Sequence, residues 1–292
     1  MLIATIDIGG TGIKFAAMSK EGEIREKQEL ATPDNLDDLL TWLDFCLSKR
    51  AYQGIAMSVP GAVDRETGVI GGISAVPYIH SFSWYDELAS YGLPVHLEND
   101  ANCVGLSELL AHPELENAAC VVIGTGIGGA MIINGKLHRG RHSLGGEFGY
   151  MTTLAPAEKL NNWSQLASTG NMVRYVIEKT GQNDWDGRKI YQEAAAGNAL
   201  CQEAIERMNR NLAQGLLNIQ YLIDPDVISL GGSISQNPDF IQGVHSAIAY
   251  YVDRYEEYSV VPEILSCTYK GEANLYGALV NWLQEEGQWP HL

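Results

Sequence analysis

The chain has 292 residues, a formal net charge of −17, 46% hydrophobic and 19% charged residues. That length holds one large domain or two ordinary ones around a sizeable core, with the composition of a globular protein. The acidity excludes nucleic-acid backbones and anionic membranes as natural partners, but not a nucleotide held by a local glycine turn. Cys46, Cys103, Cys120, Cys201 and Cys267 are scattered and never in C-x-x-C spacing. Neither a disulfide framework nor a cysteine zinc site is therefore expected. The N-terminus enters a strand without a basic and apolar leader, and no apolar stretch is long enough for a membrane span. A cytoplasmic protein is expected.

Residues 2–8, 13–18 and 23–30 read as a meander of three strands. The first runs into Asp7-Ile8-Gly9-Gly10-Thr11-Gly12-Ile13-Lys14. Gly9, Gly10 and Gly12 permit a tight turn whose N–H groups face an anion. Thr11 adds a hydroxyl, Lys14 a positive charge, and Asp7 a carboxylate able to face Mg²⁺. A bare Gly-Gly-Thr hairpin is the plain alternative. Asp7, Lys14 and a second cluster further on favour a phosphate cradle.

A helix is expected over residues 34–49, with Leu36, Leu39, Leu40, Leu43 and Leu47 as its stripe and Thr32-Pro33 as its start. Residues 55–59 form a buried strand that Pro60-Gly61 ends. Val95-His96-Leu97 leads through Glu98-Asn99-Asp100 into an amphipathic helix, about 101–111. Strand, polar tip, helix is the arrangement that places functional groups at a sheet's carboxyl edge. Asp100 can be read as an N-cap, as a catalytic base, or as both. Glu98 and Asn99 beside it make a denser polar tip than a cap requires.

His112-Pro113-Glu114 breaks that helix, which divides the chain into lobes 1–115 and 116–292. The second lobe repeats the opening logic with strands at 119–123, 127–133 and 136–138. Gly124-Thr125-Gly126-Ile127-Gly128-Gly129 follows its first strand. Formally this is G-x-G-x-x-G, but it opens a β-branched hairpin with an Asn134-Gly135 turn rather than a helix. A dinucleotide fold is thus excluded, and no P-loop pattern occurs. Two strand–glycine turns suggest two lobes closing on one polyphosphate. His138, Arg139, Arg141 and His142 read as an exposed basic loop in preference to a metal site. Glu147, among Gly145, Gly146 and Gly149, is suited to accept hydrogen bonds from two sugar hydroxyls, or is a solvated loop residue. A long helix over 199–223 ends at Asp224-Pro225. A strand over 227–230 runs into Gly231-Gly232. A last helix over 274–286 is expected to pack back on the first lobe.

Taken together, Asp7 to Thr11 with Lys14, Ser58 to Gly61, Glu98 to Asn102, Ile123 to Gly129, Gly146 to Tyr150, Gly231-Gly232 and Gly271 to Ala278 resemble the ROK family of sugar kinases. The segments run in family order across nearly the whole chain. The resemblance implies an α/β, two-lobed, actin-like ATPase (ribonuclease H-like) fold, each lobe a mixed sheet with helices, and a cleft between the lobes. It implies ATP and Mg²⁺, with a hexose or hexoside phosphorylated on a hydroxyl, the 6-OH. Asp100 would be the base, with Gly61, Asn99, Glu147 and Gln165 at the sugar. Gly9, Gly10, Thr11, Lys14, Gly124, Thr125, Gly126, Gly231 and Gly232 would hold the nucleotide, and Asp7 the Mg²⁺ through water. A homodimer is implied, with no nucleic-acid or membrane partner.

Two departures from the family pattern stand out. Tyr150 occupies the position of the family's zinc-binding His, and no cysteine lies between Cys120 and Cys201, so no zinc site is expected. Gln165 stands where the family places a Glu at the sugar's anomeric end. The altered end leaves glucokinase, β-glucoside kinase and N-acetylmannosamine kinase activities open. The rivals are a sugar-responsive repressor, for which Asp7 leaves no room for a preceding helix-turn-helix, and a sugar sensor without turnover, against which Asp100 argues.

Overall fold

A computed structural model describes residues 1–152, 161–255 and 257–289. In chain order the elements are β1 (Ile3–Ile8), β2 (Gly12–Met18), β3 (Ile24–Ala31), α1 (Leu36–Leu47), β4 (Ile55–Val59), β5 (Ala62–Asp64), β6 (Val69–Gly71), α2 (Trp84–Glu87), β7 (Val95–Asn99) and α3 (Asp100–Ala111). They continue with β8 (Ala118–Ile123), β9 (Ile127–Ile133), β10 (Lys136–Leu137), α4 (Trp163–Ala167), α5 (Thr169–Thr180), α6 (Gly187–Ala195), α7 (Ala199–Ile223), β11 (Val227–Gly231), α8 (Pro238–Val252), β12 (Ile264–Ser266) and α9 (Ala273–Glu285).

These elements make two compact units. The first comprises residues 1–114, 139–145 and the chain from 271 onward; the second comprises 115–138 and 146–270. Helix α9 thus belongs to the first unit, where it packs along α3 and against β1, β4 and β7.

The sheet of the first unit has the order β3-β2-β1-β4-β7. Strands β1, β2 and β3 pair antiparallel, whereas β1, β4 and β7 run parallel. Both faces of β1 and β4 are covered, so every residue of Ile3–Ile8 and Ile55–Val59 is buried and neither strand alternates. The edge strand β3 does alternate. The core gathers Ile6, Phe15, Leu39, Leu43, Met57 and Trp84. Helix α1 is capped by Asn35, whose side chain accepts from Asp38 N, rather than starting at Thr32-Pro33.

The second unit repeats the order as β10-β9-β8-β11-β12, again a meander followed by parallel strands. Its core collects Val121, Trp163, Leu212, Leu216, Ile228, Leu230 and Phe240. Helix α7 covers this sheet and ends at Asp224, which adopts a left-handed conformation. The hairpin β5–β6 and helix α4 are too short to carry a periodic run, whereas α5, α6 and α8 carry apolar stripes that the sequence reading did not take up, as with Phe240, Val244, Ala247 and Ile248 on α8. Helix α3, expected to be amphipathic, is buried from Ala101 to Leu109, with α9 packed closely along it.

Candidate active site

In the first unit the sheet register lines up one polar row. Glu29 pairs Lys14, Lys14 pairs Asp7, Asp7 pairs Ser58, and Ser58 pairs Glu98. Register partners share a sheet face, so five strands present five polar side chains in line. The row lies at the carboxyl ends of the parallel strands, one step before the turn Gly9–Thr11. That turn closes with Gly9 N–H donating to Gly12 O at 3.1 Å, and Thr32 Oγ1 donates to Gly9 O at 2.5 Å. A side chain at Gly10 would meet the Ala75 Cβ at 2.6 Å, so only glycine lets the loop before residue 76 cover the turn. Beside it opens a cavity of about 570 Å³ bounded by Asp7, Gly9, Thr11, Lys14 and Glu29.

Asp7 is 7% exposed. Asn274, in the first turn of α9, donates Nδ2 to Asp7 Oδ1 at 2.8 Å, and Lys14 Nζ lies 3.9 Å from Oδ2 while also donating to the Gly271 carbonyl. Burial pushes the Asp7 pKa up, against the opposing pull of Asn274 and Lys14.

The strand-to-helix tip is ordered by Asn99. Its Oδ1 accepts from Ala101 N at 3.0 Å and Asn102 N at 3.2 Å, and its Nδ2 donates to Gly61 O at 3.0 Å. Asn99 is therefore the N-cap of α3, and Asp100 is the first helical residue. The N-cap reading of Asp100 is corrected by this geometry. Asp100 is half-buried, and its Oδ1 accepts from Ala101 N at 2.8 Å. Burial raises its pKa, and the neighbouring Asp7 carboxylate adds to the rise. Gly61 has φ +112°, and a side chain there would strike Gly71 O at 2.6 Å. The structure thus joins Gly61, Asn99 and Asp100 into one tip.

In the second unit, Gly124–Gly126 turns between β8 and β9, closed by Gly124 N–H to Gly126 O at 2.9 Å. Gly232 has φ +88°, and a Cβ there would lie 2.1 Å from Ile123 O, so Gly231-Gly232 and the Gly124 turn are brought together. Gly170, in the first turn of α5, donates to Gly124 O at 3.1 Å, a contact the sequence reading missed. Beyond Gly232, a second cavity of about 570 Å³ is lined by Ser235, Pro238, Ile241, His245, Ser266 and Lys270.

Glu147 is half-buried and precedes a short turn of 3₁₀ helix, Phe148–Tyr150. Gln165 closes the capping box of α4: its Oε1 accepts from Asn162 N at 3.1 Å while Asn162 Oδ1 accepts its own N–H at 2.9 Å. Tyr150 is 70% exposed. No group of three His, Cys, Asp or Glu placed to hold a metal occurs among the described residues.

The basic-loop reading holds for His138, Arg141 and His142, which are exposed, but not for Arg139. Arg139 is mostly buried, and its Nε donates to Glu98 Oε2 at 2.6 Å. The missed signal was Glu98 itself, a carboxylate that is buried although β7 is the last strand of its sheet, and that requires a cationic partner.

The ROK family model matches residues 3–285. The chain belongs to the ROK family. It is 34% identical to a β-glucoside kinase of Listeria monocytogenes, covering 99% of both chains. A crystal structure of a ROK family protein from Streptococcus pneumoniae TIGR4 in complex with sucrose is 81% identical, with a TM-score of 0.96 over 99% of this chain and 100% of that one. A ROK hexokinase from Thermus thermophilus is 25% identical with a TM-score of 0.85, over 98% of this chain and 100% of that one. These neighbours carry the actin-like ATPase fold of the family. Among the described residues no helix is long and apolar enough to cross a membrane.

Proposed function

We propose that this chain is an ATP-dependent sugar kinase whose acceptor is a β-glucoside, phosphorylated at its 6-OH. One observation carries the chemistry: Asn99 takes over the helix cap, so the Asp100 carboxylate is not required as the cap, while burial raises its proton affinity. A base with a raised pKa is better matched to accepting a hydroxyl proton near neutral pH. The full-length likeness to β-glucoside kinases supports the glycoside acceptor.

Asp100 accepts the 6-OH proton as the γ-phosphoryl group leaves ATP. Asn99, Gly61 and Glu147 hold the sugar ring. Gln165 keeps its NH₂ for the acceptor, since its oxygen is engaged in the helix cap. Tyr150, in place of a zinc-binding His, leaves the anomeric end without the family's zinc site. Gly9, Gly10 and Thr11 offer N–H groups and a hydroxyl to phosphate oxygens, as Gly124, Thr125, Gly126, Gly231 and Gly232 do in the second unit. The cavity beyond Gly232 suits the base and ribose. Asp7 fits Mg²⁺, because one carboxylate beside a phosphate turn is the sparse protein set this ion takes along with water and phosphate oxygens. When bound, Mg²⁺ supplies neutralisation of the phosphate charge. Lys14, spanning Asp7 and Gly271, holds that carboxylate in place and opposes the rise in its pKa that burial causes. We place the enzyme in the cytoplasm as a homodimer; five buried cysteines with no disulfide between them suit a reducing compartment.

ADP release measured with cellobiose, gentiobiose, glucose, mannose, fructose, N-acetylmannosamine and sucrose tests the proposal, with NMR locating the new phosphate. The expected outcome is a higher kcat/KM for the β-linked disaccharides than for glucose. Preference for glucose would remove the glycoside acceptor, and binding without turnover of any sugar would favour a sensor.

A further inference from the structure

Behind the Asn99–Asp100 tip lies a buried polar cluster with no place in the proposed chemistry. Glu98 is 2% exposed and Asn281 0%, while the Arg139 side chain is 17% exposed. Glu98 Oε1 accepts from its neighbour's backbone, Asn99 N, and from Asn102 Nδ2, both at 2.9 Å. The opposite oxygen, Oε2, takes Arg139 Nε at 2.6 Å. The far side of the guanidinium donates Nη2 to Asn281 Oδ1 at 2.8 Å, on α9, and sits 3.8 Å from Glu285, which Arg65 also pairs.

We propose that Arg139 is the positioning residue of the acceptor site, fixing the orientation of the Asn99–Asp100 tip through Glu98. The inference rests on the kinase reading above. The Glu98 carboxylate is the only side chain described that grips both the Asn99 backbone N–H and the first turn of α3 from behind. A carboxylate so deeply buried holds one orientation when its remaining oxygen is matched by a cation. The planar guanidinium meets that need with Nε and bridges to α9 with Nη2 at the same time. Arg139 also begins the segment 139–145, closed by Gly145 N–H to Arg139 O at 2.8 Å, and this segment runs directly into Gly146-Glu147. One side chain therefore anchors the start of this segment and braces the tip that carries Asp100.

The test compares Arg139→Lys, Arg139→Met and the double variant Glu98→Gln/Arg139→Met with wild type, by turnover, by calorimetric sugar affinity and by thermal melts. Arg139→Met is expected to lower kcat/KM for the sugar on the order of tenfold to hundredfold, with the KM for ATP within about twofold of wild type. Arg139→Lys should melt close to wild type and lose less. In the double variant the neutral amide that replaces the Glu98 carboxylate still accepts from Asn99 N and Asn102 Nδ2 and no longer needs a cation, so most of the sugar kcat/KM and affinity should return. A folded Arg139→Met with wild-type sugar kinetics and affinity overturns the proposal. So does a double variant that regains its melting temperature but no sugar affinity. Affinity reads the tip without turnover, so a wild type that binds sugar and releases no ADP would sink the kinase reading alone.

Discussion

At the step before each glycine turn, the two sheets occupy the same register with opposite chemistry. In the first unit the row reads Glu29, Lys14, Asp7, Ser58 and Glu98. In the second, the row through Val122 reads Gly128, Val122 and Gly231. Both rows lie one residue short of the last pair of the first hairpin, Ile8 with Ile13 and Ile123 with Ile127. One topology thus presents four ionisable side chains and a serine in one unit, and two glycines flanking a valine in the other. Charge belongs where a proton is taken and a cation is held. Backbone N–H groups suffice where phosphate oxygens need only fixed dipoles.

Replacing Asp100 by Asn breaks the comparison most sharply. Turnover should fall by roughly 10²–10⁴, the contribution of a positioned base, while sugar affinity changes much less. A coupled ADP assay with calorimetry on one preparation checks it; near wild-type turnover would end the catalytic assignment.

The glycines sharpen the division of labour. Gly61→Ala places a Cβ 2.6 Å from Gly71 O, and Gly232→Ala one 2.1 Å from Ile123 O, each at positive φ. Each should cost about 1–3 kcal/mol in stability. The kinetic signatures should separate: Gly61→Ala raises the KM for sugar and Gly232→Ala the KM for ATP. Equal effects on both substrates would dissolve the distinction between the units.

Asn274→Ala removes the donor to Asp7, a hydrogen bond to a charged group worth about 1.5–3 kcal/mol. The expected outcome is weaker Mg²⁺·ATP use at unchanged sugar affinity, read by kinetics at varied Mg²⁺.

The smallest effect is on stability against pH. Asp100 has its folded-state pKa raised above 3.8, so over that window the folded chain binds more protons than the unfolded one. Stability then falls as pH rises through the folded pKa, and the loss is complete above it. Asp100→Asn removes this penalty. Without ligands its melting temperature should match wild type at the acid end and exceed it by a few degrees at neutral pH. A variant less stable at neutral pH would show that the carboxylate is stabilised in the fold.

The glycine turns, the Glu98-Asn99-Asp100 tip and the strands around them were legible because their signals are local: a short apolar run, a glycine cluster, a polar step into a helix. Helix α7 was legible over its whole length, 199–223, because a long apolar stripe averages over many residues. The hairpin β5–β6, with three residues in each strand, and the five-residue helix α4 are too short to set up such a period. Which residue capped α3 was also beyond the sequence, since Asn99 and Asp100 both cap well and only the backbone path decides between them.

The sequence by itself determined the class of chemistry, because oriented N–H groups and a carboxylate at a strand end follow from residue type and spacing. Tertiary structure decided what the polar residues do. Pairing of β1, β4 and β7 set Asp7, Ser58 and Glu98 in one row. Return of α9 to the first unit brought Asn274 to Asp7 and Asn281 to Arg139. An arginine that reads as part of an exposed basic loop became the partner of a buried carboxylate, since burial and pairing depend on elements far apart in the chain, and no local pattern encodes them.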